Sequence, residues 1–301
     1  MIMGYLLAIS AVFFWSLNVI VARYFANIFT PWQISFYRWF FAAIILIPFV
    51  IKDIISKWDI IVKNKKIIFN LSITGIVLMN TFSYIAGKTI TAVEMSLIGV
   101  MGPVFIIIFS WLFYNIKITK KQFLGIMLSL FGVIVIVLHG QFLTIGNFKF
   151  HIGDFWMLML ALSFGLYSVL MIKKPKEISQ ITLLSITIFL GLIIIFPLFL
   201  WDTINLNPVC DNWNLLSVGT FIFMGIFNSI LSYLCWNLSL EKIGSLKASV
   251  IYYLMPVFSS IEAYFLLGEN IYPAQIYGGM LVILGIYLTN KHAENVSLER
   301  P

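Results

Sequence analysis

The chain has 301 residues, of which 61% are hydrophobic and only 10% charged, a balance that excludes a water-soluble globular domain of this size. The two cysteines, Cys210 and Cys235, fall in a loop and in an apolar run, which speaks against a disulfide framework. The net charge of +7 suggests nucleic-acid binding only until its distribution among the loops is read.

Runs of about 20 apolar residues without alternation predict spanning helices and not a barrel, since a backbone in hydrocarbon must satisfy its own polar groups. Ten spans are expected in chain order: 3–22, 32–51, 67–87, 93–114, 121–138, 153–172, 180–201, 215–238, 245–268 and 273–290. The first lacks a charged leading region and a small-residue cleavage site, so it reads as a retained span. Alternate connections are basic. One set holds Lys52, Lys57, Lys63, Lys65 and Lys66, then Lys117, Lys120 and Lys121, then Lys173, Lys174 and Lys176, then Lys242 and Lys247, and finally Lys291 and Arg300. The other set holds only Arg23, Lys88 and Lys149. This pattern puts both termini in the cytoplasm and assigns the positive charge to topology, so nucleic acid is excluded as a partner.

The stretch from Met95 to Val137 returns between Ala248 and Thr289. Pro103, Gly125 and Gly132 step by 22 and then 7, as do Pro256, Gly278 and Gly285; Gln122 matches Gln275, and Pro-Val-Phe opens both counts. Gly4 precedes Pro48 by 44 residues, and Gly153 precedes Pro197 by the same distance. Five spans per copy is an odd number, so the second copy enters the membrane inverted. The expected architecture is an all-α integral membrane protein of ten transmembrane helices in two inverted five-helix repeats, 1–140 and 150–291, with a cytoplasmic tail at 292–301. Secondary transporters use such halves to enclose a site near the midplane for alternating access.

Residues 4–138 and 153–290 each resemble one EamA unit of the drug/metabolite transporter superfamily. The likeness rests on Trp15-Ser16 in a Gly-led first helix, Phe36-Tyr37-Arg38 in the second, Pro103 in the fourth, glycines in the fifth helices, and Leu267-Gly268-Glu269 closing the ninth. Ile116 stands where the first half would match Glu269, so any role for that acid is confined to the second half. The resemblance implies a cavity formed by helices one, three, four, six, eight and nine. It also implies movement of small organic solutes across a bacterial inner membrane, foremost amino acids or amino-acid-like compounds, with export favoured. Uptake or exchange of a nucleoside-like cofactor such as S-adenosylmethionine is the alternative transport reading, which the aromatic-rich faces suit equally well. A non-transporting scaffold or receptor is the reading of another class.

Several residues are candidates for that site. Pro103 and Pro256, read as lying inside helices, would release the carbonyls of Gly99 and Tyr252 and act either as cavity-lining hinges or as packing kinks. In span eight Asn228, Ser232 and Trp236 share a face flanked by Tyr233. Spans one, three, six and nine add Trp15 and Asn18, Asn80 and Tyr84, Tyr167, and Tyr252 and Ser259. These either line a solute cavity or hydrogen-bond helix to helix. Only Arg38 and Glu262 are ionisable well inside spans, at matched depth. Three readings stay open for them: an ion pair, coupling of a proton or contact with a substrate amine at Glu262, or a snorkelling Arg38 with Glu262 bonded to a neighbouring hydroxyl. His139, His151 and His292 have no metal-ligand spacing, and no nucleophile elbow, phosphate loop or HExxH motif is present. Neither enzyme chemistry, cofactor nor metal is expected, and the partners are a small solute, the lipid bilayer and, if transport is coupled, protons.

Overall fold

An apolar chain that must satisfy its own amides has helix as its local solution. The computed structural model describes residues 2–25, 28–90, 95, 98–138, 151–205, 213–267 and 272–291, and among them there is no strand. The helices are α1 (Ile2–Phe25), α2 (Pro31–Ser56), α3 (Trp58–Lys63), α4 (Lys65–Leu71), α5 (Met79–Ala86), α6 (Met101–Tyr114), α7 (Lys120–Val137), α8 (Ile152–Leu170), α9 (Gln180–Asn205), α10 (Leu215–Phe223), α11 (Ser232–Ile251), α12 (Met255–Leu267) and α13 (Pro273–Lys291). Six helical segments are long and apolar enough to cross a membrane, and α6 is among the shorter apolar ones. The molecule is a multi-pass membrane protein.

Two segments depart from regular α-helix at matching places. A π-helical turn over Ser72–Leu78 joins α4 to α5, and another over Met224–Leu231 joins α10 to α11. The step of 153 residues that carries Pro103 onto Pro256 also carries the first of these segments onto the second. Nothing in the periodicity of the sequence announces them.

The prolines sit differently from expectation. Pro103 is the third residue of α6 and Pro256 the second of α12, after a turn at Val100 and a 3-10 turn over Tyr252–Leu254 respectively. First-turn amides have no intrahelical acceptor, so proline there costs no hydrogen bond. Each proline therefore restarts a helix after a break instead of kinking a continuous one. The predicted loop between spans eight and nine is also mostly helical, reduced to a break at Gly244, whose φ of 81° favours glycine.

The repeated glycines meet each other. A methyl added to Gly132 would lie 2.6 Å from the carbonyl oxygen of Gly278, and one added to Gly125 2.7 Å from that of Gly285. Rising numbers on α7 thus pair with falling numbers on α13, so the two helices run antiparallel with their backbones in contact. Without a solvent to drive apolar association, such close backbone approach is a main source of helix–helix attraction in lipid. The repeated glutamines serve the same two helices as N-terminal caps: Gln122 Oε1 accepts from the Thr119 amide at 2.8 Å, and Gln275 Oε1 from the Tyr272 amide at 2.8 Å.

Helices α2 and α9 form a second antiparallel pair. Thr30 at the head of α2 bonds Asp202 near the end of α9, and Asp53 near the end of α2 accepts from Thr182 at the head of α9 at 2.5 Å. Between these ties Phe36 stacks on Phe199 with ring centres 4.2 Å apart. Gly4 packs on Lys242 and Ile243, and its counterpart Gly153 on Thr89 and Ile90, two pairs of neighbours that are again one 153-residue step apart.

Candidate functional site

A cavity of about 750 Å³, its open mouth included, lies between the two halves. Helix spacing selects its lining. Trp15 and Asn18 are three apart on α1, Asn80 and Ser83 three apart on α5, and Met157, Leu160 and Phe164 fall at i, i+3 and i+7 on α8, each set on one face. Arg38 enters from α2, Met79 from α5, and Met95, Gly99 and Val100 precede α6. Tyr252, Met255 and Pro256 close the wall, so both residues named for freed carbonyls, Gly99 and Tyr252, border the space.

Arg38 is 1% exposed and is held by neutral oxygens. Its Nε donates to Ser229 Oγ at 2.7 Å and its Nη2 to the Asn228 carbonyl. Its Nη1 donates to Tyr84 Oη at 3.0 Å and to Asn18 Oδ1 at 3.4 Å. The guanidinium carbon lies 5.0 Å from the Trp39 ring centre, a cation–π contact. Arg38 therefore does not snorkel. Glu262, 6% exposed, accepts from Ser16 Oγ at 2.6 Å through Oε1, as one reading anticipated. The two charges form no ion pair among the described residues. The reason lies on α1: Ser16 faces Glu262 while Asn18 faces Arg38, and residues two apart on a helix point about 200° apart. Glu269 lies outside the described residues.

The polar face of span eight stands behind the wall, not in it. Tyr233 Oη donates to the Gly75 carbonyl at 2.6 Å and accepts from Asn80 Nδ2 at 2.9 Å; Tyr167 donates to Asn237 Oδ1 at 2.9 Å; Trp236 Nε1 donates to Ser168 Oγ at 3.1 Å. Ser232 donates to the Asn228 carbonyl at 2.6 Å, and Asn228 Nδ2 to the Phe14 carbonyl at 2.6 Å. Ser259 donates to the Pro256 carbonyl at 3.2 Å. Of the sequence candidates, Trp15, Asn18, Arg38, Asn80, Tyr252 and Pro256 line the cavity, and Tyr84 reaches it through Arg38. Tyr167, Asn228, Ser232, Tyr233 and Trp236 are occupied in hydrogen bonds between or within helices. Helix two takes the place expected for helix eight in the lining, because the span-eight side chains are already bonded, Trp236 and Asn228 to other helices and Tyr233 and Ser232 to carbonyls of the π segments.

Those segments explain why. A π turn leaves carbonyls without their usual partner. Gly75 and Asn228, one 153-residue step apart, occupy equivalent places in the two turns, and both present their carbonyls to donors from other elements. The two acceptors are thus counterparts, although their donors, Tyr233 of α11 and Arg38 of α2, are not. Tyr233→Phe is expected to lower stability by about 1 kcal/mol, the scale of an interhelical hydrogen bond in a membrane. Thermal unfolding in detergent measures it, and an unchanged midpoint would refute this role.

Sequence reasoning missed Met79, Ser83, Met95, Val100, Met157, Leu160, Phe164 and Met255. In a chain with 12 methionines and 28 phenylalanines no local signal separates a cavity-facing thioether or ring from a lipid-facing one.

A multi-pass bundle whose two halves jointly wall a solute-sized cavity defines a membrane transporter of small molecules. The model of the EamA-like transporter family matches residues 2–138 and again 151–291. The chain belongs to that family. It is similar to the uncharacterized transporter YyaM of Bacillus subtilis (strain 168), 28% identical over 269 residues that cover 88% of this chain and 86% of that one. It is also similar to a probable amino-acid metabolite efflux pump of Salmonella typhimurium, 22% identical over 183 residues, 58% of this chain and 59% of the relative. A solved crystal structure superposes over 97% of both chains with a TM-score of 0.74 at 17% identity, a likeness of fold.

Proposed function

We propose that the protein is a secondary carrier that moves a small organic solute by alternating access, without catalysis. Its ten crossings form two inverted sets of five, with both termini on the cytoplasmic side of a bacterial inner membrane. The cavity carries this reading: six of its fifteen lining residues come from the second half and nine from the first, so one rocking motion of the halves would turn its opening from side to side. The antiparallel contacts of α7 with α13 and of α2 with α9, and the alternation of lysine-rich connections, support the inversion.

Amino acids or amino-acid-like metabolites are the favoured cargo and export the favoured direction, in keeping with the printed name of the Salmonella relative. A second reading, exchange of a nucleoside-like cofactor, draws support from the rings of Trp15, Phe164 and Tyr252 around the space, which suit a flat heterocycle. Counterflow decides. Proteoliposomes preloaded with one unlabelled solute and offered the labelled form, over a panel of amino acids and nucleosides, are expected to accumulate an amino acid transiently and saturably. Nucleoside counterflow would favour the second reading. Flux without saturation would indicate a channel, and no flux at all a scaffold. If an imposed proton gradient drives accumulation, Glu262→Gln is expected to remove that drive; gradient-driven uptake that survives the substitution excludes Glu262 as the proton carrier.

A further inference from the structure

We propose that Arg38 is the receptor for a carboxylate on the transported solute, and that the site reads this carboxylate together with an apolar side chain and not the amino group. The proposal rests on the carrier reading and names its substrate class: monocarboxylates with an apolar or aromatic remainder.

A guanidinium stays charged in any protein environment, and placing one at membrane depth is costly unless it is compensated. Arg38 is fully buried from the outside yet borders the cavity. Its partners are a serine, a tyrosine, an asparagine side chain and a backbone carbonyl, all neutral. The buried acids of the described chain are engaged elsewhere: Asp154 with the His151 amide, Asp202 with Thr30 and Glu262 with Ser16. Among the described residues no other charged side chain lines the space. The cavity therefore holds, among the described residues, one formal positive charge without an anion, a match for a solute bearing one negative charge.

Every nitrogen of the guanidinium has a partner, and the geometry leaves one N–H of Nη1 to be exchanged to the solute while Nη1 keeps Tyr84 Oη at 3.0 Å. Nε and Nη2 are fixed by Ser229 and Asn228 in the second π segment, whereas the 3.4 Å contact of Nη1 with Asn18 is the longest of the set and the easiest to displace. Trp15 lies one helical turn from Asn18 on the same face. Its indole N–H is buried, borders the cavity and has no acceptor among the described residues. It supplies a second donor. With no carboxylate in the lining among the described residues, nothing there demands an ammonium. The rest of the wall is thioether and ring, including Met79, Met157, Met255 and Phe164, which adapts to side chains of varied shape.

The test is a set of chemical series in the proteoliposome counterflow assay. For phenylalanine, leucine and methionine, each amino acid is compared with its 2-oxo acid, its primary amide and its decarboxylated amine as a competitor. The acid and the 2-oxo acid are expected to compete within a few-fold of each other, and the amide and amine at least tenfold more weakly. Arg38→Gln should bring acid and amide to near equality, Arg38→Lys should keep part of the preference, and Trp15→Phe should weaken the acids three- to tenfold. The wild-type series needs no variant to fold. Counterflow of amides or amines as good as that of acids, or of a nucleoside with none of the acids competing, overturns the receptor while leaving the carrier. Absence of counterflow for every solute overturns the carrier reading and the receptor with it.

Discussion

Gly132→Leu is expected to abolish folded protein, while Gly219→Leu, a change of the same size, is expected to be harmless. A β-carbon at position 132 would meet the Gly278 oxygen at 2.6 Å, the Val282 nitrogen at 2.8 Å and the Leu281 β-carbon at 2.9 Å. Backbone cannot rotate out of the way as a side chain can, so α7 and α13 must separate and forfeit the contact along their whole length. Overpacking that a core can relieve costs about 1–3 kcal/mol; here the cost exceeds that range. Gly219 has no atom within 4 Å of where its β-carbon would sit, and leucine is the better helix former there. Gel filtration of detergent-extracted protein measures both. A monodisperse, wild-type elution of Gly132→Leu would show that the two glycine-bearing helices do not depend on this approach.

Trp236→Ala is expected to cost about 3 kcal/mol or more of stability and to alter solute selection, although Trp236 does not line the cavity. Its side chain is 0% exposed and packs behind three lining rings, with centroids 5.4 Å from Trp15, 5.1 Å from Phe164 and 6.3 Å from Tyr252. Removing it leaves a void and orphans the Ser168 hydroxyl, and large-to-small changes of buried tryptophan typically cost about 3–5 kcal/mol in water-soluble cores. The three rings then lose their backing and their fixed positions. Trp236→Phe keeps most of the contact and should lose less. Unfolding midpoints and the competition pattern of the counterflow assay read the two effects. Trp236→Ala with wild-type stability and an unchanged substrate profile would remove it from the support of the cavity.

Hydrophobic run length and repetition were the parts of the fold that one dimension could carry. The glycines at 125, 132, 278 and 285 are legible because a residue without a β-carbon is required wherever two backbones touch, whatever surrounds them. Gln122 and Gln275 were legible as a match but not as caps, since capping is known only once the helix start is fixed. Arg38 and Glu262 illustrate the limit. Equal depth suggested that they meet, but depth says nothing of azimuth, and α1 stands between them with Ser16 turned one way and Asn18 the other. The face of span eight was recognised as polar, yet a polar face serves a solute and a neighbouring helix equally well. Which of the two it serves depends on partners that neighbouring helices and the π segments bring to it.

The sequence by itself determined the membrane, the helical class, the internal repetition and a family, because these follow from hydrophobic run length and from fixed residue steps along the chain. The tertiary structure alone decided which side chains border the cavity, that α7 and α13 meet glycine to glycine in antiparallel contact, and that Arg38 has only neutral partners among the described residues. Those outcomes depend on helix rotation and on carbonyls released by two π turns. A uniformly apolar helix has no stripe to fix its rotation in advance, so packing sets it.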